Sequence, residues 1–123
     1  MNRLSLIKLL EKYERTTNKR SFIAENIDEI LETLYLMKFK IDRLYEATQI
    51  TYDKRSKIVR AYIPVRRNAM LGYFSKHLGL QDSKIEAIVR LLKDVVELSK
   101  DCKKLKEKKV DCNEFLKAFY RFV

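Results

Sequence analysis

The sequence predicts an all-α protein, a single-domain bundle of about six helices containing a helix-turn-helix, and three observations predict it. Only two glycines and one proline interrupt 123 residues. Leucine, isoleucine, lysine and glutamate are abundant, a composition that favours helix over sheet. Apolar residues recur at spacings of three and four along most of the chain, which is the period of a helix with one buried face. A chain of this length can bury one real core but not two comfortable ones, so residues 1–123 read as one domain.

A first helix is expected over residues 3–15, turning Leu4, Ile7 and Leu10 inward with Leu6 and Tyr13 beside them. The polar run Thr16-Thr17-Asn18-Lys19-Arg20 breaks it. From Ser21 to Thr48 the residues Ile23, Ile27, Ile30, Leu34, Met37, Ile41 and Leu44 alternate spacings of four and three. Such a heptad-like seam predicts one long helix, either the spine of an intramolecular bundle or the contact face of a homodimer. Glu25, Asp28, Glu29 and Glu32 crowd its first turns, where carboxylates suit the positive end of the helix dipole and read as a solvated face.

Gln49-Ile50-Thr51 reads as a connection, and Tyr52–Tyr62 as a third helix with Ile58, Val59 and Tyr62 inward and Lys54, Arg55, Lys57 and Arg60 outward. That helix must end before Pro64, which suits the first turn of a following helix over Val65–Leu78. Arg66 and Arg67 then stand near a helix start, an unfavourable place for cations unless an anion answers them. Ser83 with Glu86 three residues on predicts a capped helix start, and the four-and-three pattern from Ile85 continues to about Lys106. The lysine-rich segment from Lys103 to Lys109 closes that helix. Asp111 with Glu114 opens a last docking helix over 112–123, which buries Phe115, Phe119 and Phe122.

Between Val65–Leu78 and the helix at Ser83 lies Gly79, at a place where a sharp reversal calls for the left-handed conformation that glycine adopts cheaply. Phe74, Leu78, Leu80, Ile85 and Ile88 are spaced to share one small core, and Ser75 leaves room for the second helix to approach. Over residues 71–91 this pattern resembles the helix-turn-helix of DNA-binding repressors and activators. The resemblance implies that the second helix enters the major groove, with Gln81, Ser83, Lys84, Ala87 and Arg90 nearest the bases. Asp82 and Glu86 depart from the pattern by placing negative charge on a surface meant to approach phosphates.

The formal charge is +10, and it is uneven: residues 1–20 carry +4, residues 25–50 carry −3 and residues 53–78 carry +6. A balance of this kind attracts polyanions. The positive block adjoins the helix-turn-helix segment, so Lys54, Arg55, Lys57, Arg60, Arg66, Arg67 and Lys76 are the expected phosphate contacts. Double-stranded DNA is the expected partner, in a regulatory or replication role. The rival is a small basic subunit or adaptor of a nucleoprotein complex that uses its seams for protein contact and its charge for RNA or single strands.

No catalytic motif, nucleotide loop or metal-ligand spacing is present; the single histidine, His77, lies far in sequence from Cys102 and Cys112. An enzyme, a cofactor and a metal are therefore not expected. Two cysteines make no disulfide framework, and reduced thiols are expected. The apolar runs are too short for a membrane span and the first ten residues too charged for a signal peptide, so a soluble cytoplasmic protein is expected.

Overall fold

A computed structural model of the protein describes residues 3–36, 49–63, 66–70, 79–104 and 112–122, with backbone alone for 3, 34–36, 58, 60–63, 66–70 and 122. Helices dominate it, as the composition predicts: α1 (Arg3–Arg15), α2 (Lys19–Glu25), α3 (Ile27–Leu36), α4 (Asp82–Lys103) and α5 (Cys112–Phe122). Between α3 and α4 the chain forms a three-stranded antiparallel sheet that the sequence reading did not expect, of β1 (Gln49–Asp53), β2 (Ile58–Ile63) and β3 (Arg66–Met70) in that spatial order.

The long helix α4 is the centre of the packing. It places Ile85, Ala87, Ile88, Val89, Leu91, Leu92, Val95, Val96, Leu98, Ser99 and Cys102 out of solvent, more than half of its circumference. Helices α1, α2 and α5 and strand β1 pack around it. Helix α1 contributes Leu6, Leu9, Leu10 and Tyr13 to this core. Leu4, expected inside, is 58 % exposed, because the buried stripe of α1 is centred on Leu6 and Leu10 and Leu4 falls beyond its edge.

The single helix expected from Ser21 starts earlier and breaks. Asn18 caps α2, its side-chain oxygen accepting the N–H of Ser21 at 3.1 Å. At Asn26 both the backbone N–H (3.0 Å) and the side-chain amide (2.8 Å) donate to the carbonyl of Phe22, and the backbone leaves helical geometry. A side chain competing locally for a backbone acceptor is the usual reason asparagine ends a helix. Ile23, Ile27, Ile30 and Leu31 nevertheless reach the same core, so the described half of the seam is spent inside the chain; residues 37–48 of it lie outside the described residues.

The expected helix at 52–62 is corrected to a hairpin, and the expected helix over 65–78 is corrected over its described part, because Arg66–Met70, Arg66 and Arg67 included, form β3. The physical reason is visible in the residue types. Ile50, Thr51, Tyr52, Ile58, Val59, Tyr62 and Ile63 are β-branched or aromatic and suit a pleated, half-buried surface. Ile50 and Val59 are buried and Tyr52 packs against the core, so the inward residues follow a period of two. A register irregularity between Ala61 and Ile63 bends β2 against β3.

At the far end, Cys102 and Cys112 are joined in a disulfide with Cα atoms 5.1 Å apart, which corrects the expectation of reduced thiols. The bridge ties the last turn of α4 to the first residue of α5. Helix α5 then buries Phe115, Ala118 and Phe119, the two phenylalanine rings stacked 5.8 Å apart, against α3 and α4. No described helix is long and apolar enough to cross a membrane.

Cross-linking a loop of about ten residues removes chain entropy from the unfolded state worth roughly 2–3 kcal/mol. The double replacement Cys102→Ala and Cys112→Ala is expected to lower the unfolding free energy by about that amount in a urea titration. Adding a thiol reductant to the unaltered chain should match it, and equal stability with and without the bridge would contradict its role in docking α5.

Candidate nucleic-acid interface

The strands β1 and β2 are joined by Lys54-Arg55-Ser56-Lys57. Asp53 forms this loop by accepting the backbone N–H of Arg55 at 2.9 Å and of Ser56 at 3.5 Å. Its last residue, Lys57, has φ +60°, a left-handed conformation that costs a side-chain-bearing residue roughly 1–2 kcal/mol. Glycine would sit there more cheaply, but only a long cation can do what Lys57 does: its ammonium donates to Asp82 Oδ1 at 2.6 Å.

The same carboxylate oxygen accepts the hydroxyl of Tyr52 at 2.7 Å, and one turn further along α4 Glu86 Oε1 takes Lys54 at 2.8 Å. The two acidic residues that departed from the DNA-binding pattern are thus the anchor points of the hairpin. Helix α4 starts one residue earlier than expected, with Gln81 as the capping residue in extended geometry and Gln81's carbonyl accepting from Lys84 and Ile85. Asp82 therefore occupies the first helical position, where its charge complements the helix dipole as well as the lysine. Glu86 serves the hairpin rather than a capping box.

Gly79 has φ +61°, the left-handed turn expected of it, and Leu80, Ile85 and Ile88 are buried. Residues 71–78, which hold the first half of the motif together with Lys76 and His77, lie outside the described residues. Of the five residues expected nearest the bases, Gln81, Ser83 and Arg90 are exposed; Ser83 and Arg90 fall on one stripe of α4, and Gln81 precedes its first turn. Ala87 is corrected: it has no exposed surface and faces the core, because the buried arc of α4 is too wide to leave it out. Lys84 and Arg90 lean toward Glu14 of α1, at 3.3 Å and 3.8 Å.

Of the expected phosphate contacts, Lys54, Arg55 and Lys57 share the exposed hairpin loop. Arg60 lies on β2 opposite Thr51 and Met70, and Arg66 and Arg67 on β3, Arg66 opposite Ile63. Six of the seven thus belong to one hairpin and its neighbouring strand, Arg60, Arg66 and Arg67 by backbone position alone.

A second polar region, which the sequence reading missed, runs beside the middle of α4. A groove of about 380 Å³ is lined by Tyr13, Glu14, Lys19, Arg90, Lys93, Asp94 and Glu97. Its interior is already satisfied. The Lys19 ammonium donates to the carbonyls of Tyr13 (2.6 Å), Thr16 (2.9 Å) and Glu14 (3.1 Å), closing the end of α1, and lies 4.8 Å from the centre of the Tyr13 ring. The Tyr13 hydroxyl donates to Asp94, and burial followed by that bond raises its pKa. Arg20 pairs with Asp101 at 2.5 Å. These contacts join the α1–α2 turn to α4 and leave mixed charge at the rim. Among the described residues no group of three or more His, Cys, Asp or Glu is placed to hold a metal ion.

No family description, curated protein or solved structure matches this chain.

Two outcomes test the geometry of this surface. Ala87→Arg should cost roughly 3 kcal/mol or more by forcing a charge into the core, while Ser83→Arg leaves the unfolding midpoint almost unchanged. The Tyr52 hydroxyl is pushed up to about 12, first by burial and then by its bond to Asp82, whose own pKa is held below the ordinary 3.8 by Lys57 and Tyr52. Tyr52 titrates above its unfolded value of 10, so its contribution is full below pH 10 and is lost as pH climbs toward about 12. Asp82 titrates below its unfolded value, so its contribution is present above pH 3.8 and is lost in more acid solution. In Asp82→Asn, an NMR titration of the Tyr52 ring should move from about 12 part of the way back to 10. An unmoved midpoint would show that the hydroxyl and the carboxylate do not meet in solution.

Proposed function

We propose that this protein binds nucleic acid, most favourably double-stranded DNA, through the surface made by the β1–β2 loop and the first turn of α4, in a regulatory or maintenance role. The observation that carries the reading is the gathering of Lys54, Arg55 and Lys57 on one exposed loop that is fastened directly to the exposed start of a helix at Gln81 and Ser83. A net charge of +10 supplies the long-range attraction. Arg60, Arg66 and Arg67 continue the cationic sequence along the adjoining strands. The left-handed turn at Gly79 and the burial of Leu80, Ile85 and Ile88 support a helix-turn-helix as the frame. In this reading the loop cations meet phosphates, and Gln81 and Ser83 approach base edges.

The breadth of the buried arc on α4 favours a second reading, in which the helix is a buttress and the chain is a small basic subunit or adaptor that holds RNA, single strands or a protein partner. Gel shifts with duplex DNA, single-stranded DNA and RNA at low and high salt separate the two. Duplex preference with strong salt dependence is expected, and the double reversal Lys54→Glu and Arg55→Glu should weaken binding at least about tenfold and flatten the log–log salt slope by about two, one per lost phosphate contact. Preference for RNA or single strands selects the second reading. Failure to bind any of the three at low salt would refute both nucleic-acid readings.

A further inference from the structure

We infer that Asp82 and Glu86 act as built-in competitors for the nucleic-acid phosphates, holding the loop cations until an extended polyanion displaces them. The inference rests on the nucleic-acid reading above and concerns how that same surface is regulated. Its basis is geometric. Lys57 and Lys54, two of the three cations on the loop, donate to carboxylate oxygens of α4 at 2.6 Å and 2.8 Å. The pairs are themselves exposed: the Lys54 side chain is 65 % accessible and that of Glu86 41 %. An incoming phosphate can therefore reach them without any movement of the core.

The two anchors differ in what they can release. Asp82 also accepts the Tyr52 hydroxyl, so it keeps the hairpin seated even if Lys57 swings away. Glu86 holds the loop through Lys54 at the very edge of the surface. Lys54 is thus the cation most easily exchanged. An exposed ion pair holds its partners only weakly, and a strand engaging several cations at once repays its rupture by releasing counterions. A lone phosphate exchanges one anion for another and gains little. The carboxylates thereby discriminate against small anions in favour of strands.

The test is a double-mutant cycle on the full chain with a labelled random-sequence duplex at low salt. Glu86→Gln should tighten binding about two- to fivefold, the range open to one exposed pair. In a Lys54→Ala background the same replacement should change affinity by a much smaller factor, because the cation it frees is gone. Equal tightening in both backgrounds reflects only the lost negative charge and overturns the inference, as does no tightening at all in a protein that binds. Inorganic phosphate at matched ionic strength should compete no better than chloride, and stronger competition overturns the discrimination against small anions. Absence of binding in every variant is a separate result, because it removes the nucleic-acid reading itself and this inference with it.

Discussion

The burial demand of α4 organises the molecule. A helix of 22 residues whose apolar arc spans more than half of its circumference cannot be satisfied by one neighbour. Helices α1 and α2, helix α5 and strand β1 each cover part of it, and the side chains they contribute form one continuous core. Every other feature is placed by that requirement. The sheet lies where it does because Ile50 and Val59 complete one wall, and α5 is held at the end of α4 because Phe115 and Phe119 complete another. At roughly 25 cal/mol per Å² of apolar surface, burial of this extent outweighs any of the surface contacts.

What remains of α4 is a narrow polar stripe, and the chain divides it. The first two turns serve the hairpin, through Asp82 with Tyr52 and Lys57 and through Glu86 with Lys54. The middle and end serve the α1–α2 turn, through Asp94 with Tyr13 and Asp101 with Arg20. Pairs this exposed contribute little stability one by one. Their effect is on orientation: with the core fixing where the hairpin packs, Asp82 and Glu86 hold its loop against the start of α4.

Helical content, the break after α1, the Gly79 turn, the long helix that follows and the docked C-terminal helix were all legible in the sequence, since each rests on local periodicity or on a single residue with one physical role. The hairpin was not. Ile58, Val59 and Tyr62 fit a helical face as well as a strand when read alone, and short apolar runs do not decide between the two periods. The signals that favour strands were the alternation of Ile50 with Tyr52, the density of β-branched residues and Asp53 ahead of a four-residue loop. The disulfide and the break at Asn26 were missed for a different reason. Both depend on where a side chain finds its partner, which spacing alone does not encode. Within the candidate surface, the resemblance to a helix-turn-helix named Gln81, Ser83 and Arg90, which are exposed, and also Ala87, which is buried because the width of the buried arc is set by how many elements pack on α4.

That width also decides how α4 could meet a partner. A helix exposed along one whole side can lie lengthwise in a groove and read it over several turns. Here part of the stripe beyond the first turn is engaged: Arg90, seven residues past Ser83 and so about 10 Å further along the axis, leans toward Glu14, and Asp94 holds Tyr13, while Lys93 and Glu97 stay exposed. Gln81 and Ser83 stand exposed at the start of the helix. The hairpin loop is tied to this end of the helix through Asp82 and Glu86 and carries Lys54, Arg55 and Lys57. Loop and helix start form one surface, and the carboxylates that join them set both its shape and its charge.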